Sequence, residues 1–167
     1  MEEITLAKAV QFAVTTEELG AKTYRRLAEK LKDDKEISTI FSQLAVDEEA
    51  HEKYFRTLLE RVPREAPKDY GEKYEVVRAM SISQFFSSRD GLKRDIDAIK
   101  TRDDALRRAF ELEKATLGYY NALKEVLRDR TELDAIIAAE QEHLVRVLRY
   151  MITDSEFRGL GDAFHGM

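Results

Sequence analysis

The chain has 167 residues, 37% of them charged, with a formal net charge of −5, two prolines and no cysteine. That length suits one well-buried domain rather than two, and the absence of cysteine excludes disulfides, thiolate zinc, iron–sulfur clusters and thiol catalysis. No basic stripe recommends nucleic acid as a partner, and no apolar run of about 18 residues exists to span a membrane.

Glu, Lys, Arg, Leu and Ala dominate, the residues that lose least on entering a helix, so an all-α fold is expected. The first helix is predicted from about Ile4 to Leu31, because Val10, Ala13, Val14, Gly20, Ala21, Tyr24, Leu27, Ala28 and Leu31 recur at steps of three and four. Asp33 and Asp34 supply a turn and an N-cap. The second helix then runs to about Val62 on Ile37, Ile40, Phe41, Leu44, Phe55, Leu58 and Leu59, until Pro63 and Pro67 end it. Residues 63 to about 100 form a long connection with a short helix expected over Glu72–Phe86. Within it, Phe85-Phe86 would cover the bundle or join a dimer interface. The third long helix starts near Thr101, capped by Thr101 or Asp103, and carries Leu106, Ala109, Thr116, Tyr120, Leu123 and Leu127. The fourth is expected over Thr131–Ile152. Beyond Thr153, with Gly159, Gly161 and Gly166, the apolar pattern stops, so residues 1–152 are read as the bundle and 153–167 as a tail.

Two helical hairpins joined by a long crossover are one way to build an antiparallel four-helix bundle. The halves also repeat. Glu17 precedes Tyr24 by seven residues, as Glu113 precedes Tyr120, and each half then ends in Glu-x-x-His, Glu48/His51 and Glu140/His143. Such a repeat predicts a pseudo-twofold bundle.

Each apolar stripe is interrupted near its middle. Glu17, Glu48 with His51, Glu113, and Glu140 with His143 sit where the period demands apolar side chains. Antiparallel packing would bring them to one level of the core. Four carboxylates buried together repel one another and lose their solvation, and cations are the economical remedy. Glu-x-x-His puts a carboxylate and an imidazole on one helix face. Two such motifs and two further glutamates make up the ligand set of di-iron and di-manganese carboxylate bundles. Four negative charges against two divalent ions leave the site neutral. The bland alternative, a buried salt-bridge layer, would need Arg or Lys on these stripes, and none is there.

The segments Glu17-Glu18-Leu19-Gly20-Ala21-Lys22-Thr23-Tyr24, Asp47-Glu48-Glu49-Ala50-His51, Glu113 to Tyr120, and Glu140-Gln141-Glu142-His143 resemble the rubrerythrin-related ferritin-like proteins. The resemblance covers nearly the whole chain. It implies a ferritin-like bundle holding two iron ions, with Glu48 and Glu140 bridging them. Glu17 and His51 would then hold one ion, and Glu113 and His143 the other. It also implies oxidation of ferrous iron with reduction of hydrogen peroxide or dioxygen, hence a small oxidant and an external electron donor as partners, and a homodimer. Manganese or zinc would fit the same ligands. Two departures stand out: no cysteine-ligated rubredoxin module is present to deliver electrons. Ala109 and Phe110 also occupy the place of an extra glutamate one turn before the third-helix ligand. The shorter, single-domain branch of the family is therefore the expectation.

Around the ligands, Asp47 lies one turn before His51, placed to accept a hydrogen bond from a ligand imidazole. Tyr24 and Tyr120 lie two turns from Glu17 and Glu113 on the core face, and their matched placement points to ligand support or electron relay beyond packing. Gly20, one turn from Glu17, would leave room for an exogenous ligand or for close helix approach. The N-terminus, Met1-Glu2-Glu3-Ile4, lacks the features of a signal peptide, so a cytoplasmic protein is expected. Two rival functions fit the same pattern: iron storage or carriage, and a di-metal oxygenase acting on an organic substrate.

Overall fold

A computed structural model describes residues 6–62, 96–127 and 131–165, with side chains described for 7–62, 96–125 and 133–153. The long helices are α1 (Leu6–Lys30), α2 (Lys35–Leu59), α3 (Arg102–Leu127) and α4 (Thr131–His165). The protein is all-helical with a ferritin-like bundle fold. Asp34 caps α2, its side chain accepting from the Ile37 amide at 3.2 Å. At α3 the cap is Thr101 and not Asp103: the Asp104 amide donates to Thr101 Oγ1, and the Thr101 amide donates back to Asp104 Oδ2. This reciprocal pair satisfies two amides that would otherwise lack partners.

α1 packs along α2, α3 along α4, and α1 also meets α3. The end of the crossover is held in place: Ile96 and Ile99 are buried, and Lys30 donates to the carbonyls of Ile96 and Asp97. Arg102 reaches Asp34 and Glu36, tying the start of α3 to that of α2. The expected helix over Glu72–Phe86, with Phe85-Phe86, lies outside the described residues. α4 corrects one expectation, since it continues past Ile152 to His165. The apolar pattern does stop there, but a helix closes its own backbone hydrogen bonds without an apolar stripe.

The core is divided. One apolar cluster holds Val10, Val14, Phe55, Leu58, Tyr119, Tyr120, Leu123 and Leu133 among others. The second holds Tyr24, Leu27, Ile37, Phe41, Leu44, Leu106, Leu112 and Val147 among others. The C-terminal part of α1 thus shares a cluster with the N-terminal part of α3, so these helices run antiparallel. Between the clusters lies a polar layer. Among the described residues no helix is long and apolar enough to cross a membrane.

Candidate metal centre

The polar layer consists of the six interruptions read from the stripes. Glu17, Glu48, His51, Glu113, Glu140 and His143 are all buried, Glu140 completely. They form two overlapping groups whose ligand atoms lie within 4.8 Å of one another: Glu17, Glu48, His51 and Glu140, and Glu48, Glu113, Glu140 and His143. Glu48 and Glu140 belong to both. Glu17, Glu48 and Glu113 lie near the midpoints of α1, α2 and α3, and Glu140 lies nearer the start of the longer α4, all at one height in the bundle.

The imidazoles face inward through Nδ1. His51 Nδ1 lies 2.8 Å from Glu140 Oε1, 3.4 Å from Glu48 Oε2 and 3.6 Å from Glu17 Oε2. His143 Nδ1 lies 3.6 Å from both Glu113 Oε2 and Glu140 Oε2. The two rings stack with centroids 5.5 Å apart.

The tyrosines cross between the halves. Tyr24 donates to Glu113 Oε1, and Tyr120 to Glu17 Oε1, so each serves the glutamate of the other hairpin. Antiparallel α1 and α3 account for this exchange. Each bond occupies one carboxylate oxygen, and the other, Glu113 Oε2 or Glu17 Oε2, is left facing the layer without a hydrogen-bond partner. Asp47 also meets the opposite half. Its Oδ2 lies 3.3 Å from Nε2 of His143, across the site, and not beside His51 of its own helix.

Gly20 fills no open space. A Cβ there would sit 3.4 Å from Cγ, Cδ and Oε1 of Glu48, so the missing side chain accommodates a carboxylate of the layer itself. Three residues escaped the sequence reading. Tyr119 is fully buried and donates to the Ala9 carbonyl at 2.8 Å, fastening α3 to α1. Gln43 and Arg146 both approach Asp47. Gln43 lies one turn before Asp47 on α2, a spacing that could have revealed it; Arg146 comes from another helix and left no such signal.

Without metal ions the layer balances its charge with protons. Burial pushes the Glu17 and Glu48 carboxyls well above the carboxylate range; Glu48 partly opposes this at Glu17, while Glu113 and Glu140 add to it at both. Burial also raises Glu113, to about 7, although His143 opposes it. Glu140 goes the other way: burial would raise it, but contacts with His143 and His51 hold it at about 2. Those contacts outweigh burial on the imidazoles too, raising His51 to about 9 and His143 to about 11.

Do these residues fit metal ions? Buried and without hydrogen-bond partners are Glu17 Oε2, Glu48 Oε2, Glu113 Oε2, both oxygens of Glu140, and Nδ1 of both histidines. Such atoms are costly to leave unsatisfied, and these seven gather in the two groups. Among the described residues no Lys or Arg is buried to neutralise them. Hard oxygen and imidazole donors suit iron, manganese or zinc. The set fits two ions sharing Glu48 and Glu140.

Comparison with known proteins agrees with this fold. A Thermotoga maritima crystal structure, described as a ferritin-like diiron-carboxylate protein, shares the fold with a TM-score of 0.64 at 22% identity, covering 90% of this chain and 97% of that one. No protein of curated function matches the chain. The rubrerythrin family model matches residues 8–93, a span that contains Glu17, Glu48 and His51. On that match across half its length, and on its ferritin-like fold, the chain belongs to the rubrerythrin family.

Proposed function

We propose that this chain is a non-haem di-iron redox protein that oxidises ferrous iron while reducing hydrogen peroxide or dioxygen. The observation that carries this reading is the set of donor atoms without hydrogen-bond partners turned into one buried layer, with no buried Lys or Arg beside them among the described residues. Glu17 and His51 would hold one ion, Glu113 and His143 the other, and Glu48 and Glu140 would bridge. Two ferrous ions held there would supply one electron each, the two electrons that convert one hydrogen peroxide and two protons into two waters.

The rest is done by the chain. Tyr24 and Tyr120 keep Glu113 and Glu17 turned so that one oxygen of each faces the layer. Burial, reinforced by Glu113 and Glu48, raises Tyr24 well above its ordinary pKa, so its hydroxyl keeps the proton and remains a donor. The apolar clusters on either side exclude water, which strengthens every electrostatic interaction between them. With no cysteine in the chain, the electrons that return ferric iron to ferrous would come from an external donor.

Glu113 and Glu111 provide the test. Glu113 is 1% exposed and lies in the layer, while Glu111, two residues away, is exposed. After anaerobic iron loading, the parental protein should hold about two ions per chain and oxidise them with peroxide. Glu113→Ala should lose about one ion and most of the fast oxidation, because a two-electron step needs both. Glu111→Ala should change neither. Should both variants oxidise iron at the parental rate, the redox reading is wrong.

A further inference from the structure

The two halves of the centre present the same ligand types but differ in what stands behind them. Nδ1 of His143 faces the layer, and its Nε2 points away from it, toward Asp47 Oδ2 at 3.3 Å. Asp47 is itself held. Gln43 Nε2 donates to Asp47 Oδ1 at 3.0 Å, and Arg146 lies 3.6 Å from Oδ2. A supported carboxylate therefore stands behind one imidazole.

The internal repeat shows what stands in the equivalent place behind the other. Glu140 follows Glu48, and His143 follows His51, by 92 residues; the same step carries Gln43 onto Ala135 and Asp47 onto Ala139. Ala139 is half-buried, as Asp47 is, but a methyl group accepts no hydrogen bond. Among the described residues, the carboxylate contacts of His51 run through Nδ1, to Glu17, Glu48 and Glu140. Its side chain is also more open, 11% exposed against 3% for His143.

An imidazole that binds a metal through Nδ1 carries its proton on Nε2. A carboxylate accepting that proton fixes the tautomer and ring plane and makes the ring a better donor, and losing such a partner typically costs about 10- to 100-fold in metal affinity. We propose that Asp47 makes the Glu113/His143 side the tighter of two unequal metal positions, so that the first divalent ion enters beside His143 and the second beside His51. This rests on the two-metal reading above. Asp47 touches neither ion; it is a positioning residue acting through His143. When metal is scarce the chain would hold one ion, and any reaction that draws on both would follow the occupancy of the weaker position.

The test is stepwise titration of the metal-free full chain with Co²⁺, followed by calorimetry and visible absorption. Two steps about 10- to 100-fold apart in Kd are expected. Asp47→Ala should weaken the first step by that factor and leave the second unchanged, while Asp47→Asn, which keeps an acceptor oxygen, should fall between. Ala139→Asp places a carboxylate behind His51 and should tighten the second step, which decides the matter even if Asp47→Ala does not fold. Anomalous scattering from crystals prepared with one equivalent of Co²⁺ should locate the ion beside His143, a result that a merely structural role for Asp47 would not produce. Two equal steps in the parental protein, a first ion beside His51, or equal weakening of both steps by Asp47→Ala would each overturn the proposal and leave the two-metal reading standing. If no Co²⁺ binds at all, both fail.

Discussion

The half built from α1 and α2 and the half built from α3 and α4 carry the same inward-facing set, Glu, Glu and His, and the same supporting tyrosine, but other neighbours of those residues are not repeated. Gly20 answers to Thr116, Gln43 to Ala135 and Asp47 to Ala139. The electrostatics of the shared residues differ as well. Glu17 and Glu48 are both pushed well up, whereas Glu140 is held at about 2 by its two imidazole neighbours. The comparison separates what ligation fixes, namely residue type and height in the bundle, from what is free to vary and can give each position its own strength.

The largest effect should come from breaking what the halves share. Glu140 belongs to both ligand groups, whereas Glu17 and Glu113 belong to one each. Glu140→Ala is therefore expected to bring metal content from about two ions per chain to nearly none, and Glu17→Ala or Glu113→Ala to about one. Metal analysis after anaerobic loading and dialysis measures this. If Glu140→Ala keeps as much metal as Glu113→Ala, Glu140 does not bridge.

Removing the metal should expose the halves' different proton affinities. Glu113, raised to about 7, and Glu17 and Glu48, also raised by burial, bind protons when folded that the unfolded chain releases near pH 4.5, so their stabilisation declines as pH rises above that value. The histidines contribute fully below about pH 6.5, and this is lost as pH rises through about 9 for His51 and about 11 for His143. Glu140 acts oppositely, stabilising above 4.5 and losing that contribution as pH falls toward about 2. Between pH 5 and 9, then, the Tm of metal-free protein should fall. Metal ions compete with protons for the same atoms and gain affinity with pH, so the Tm difference between loaded and stripped protein should widen across that range. A difference that narrows would mean the ions bind elsewhere.

The layer itself was legible in the sequence because a buried ligand must replace an apolar residue. Glu17, Glu48, His51, Glu113, Glu140 and His143 therefore appear as faults in a regular stripe, and the structure gathers all six. Partnerships across the bundle were not legible. Spacing along a helix reports neighbours on that helix, so Asp47 was read beside His51 when its ring is His143, and Tyr24 beside Glu17 when its acceptor is Glu113. Which helix faces which depends on the antiparallel run of α1 and α3, a fact of packing. The far end of α4 was missed for another reason. Apolar periodicity marks the buried part of a helix, and α4 extends to His165 beyond the last residue of its stripe.

The smallest effect concerns Gly20, where the halves differ by a single side chain. In the middle of α1 a glycine costs about 1 kcal/mol relative to alanine, and Glu48 lies where the side chain would begin. Gly20→Ala would place its methyl 3.4 Å from Cγ, Cδ and Oε1 of Glu48, an ordinary contact that requires no displacement. The metal-free protein should therefore gain about 2–4 °C in Tm, the usual return on about 1 kcal/mol at this size. The same methyl packs against Glu48 and restricts its movement, so peroxide-driven oxidation should slow while metal content stays at the parental level. That slowing should be smaller than the roughly 10- to 100-fold loss typical of removing a partner that orients a ligand. Gly20→Thr, which copies Thr116 of the other half, adds two heavy atoms beyond the methyl; it should displace Glu48 and lower metal content as well. Thermal melts, metal analysis and stopped-flow oxidation on the same preparations distinguish these outcomes. A lower Tm for Gly20→Ala would show that even a methyl crowds Glu48. An unchanged oxidation rate for both variants would show that the freedom of Glu48 has no part in the reaction, and that the glycine only lets this carboxylate pack against α1.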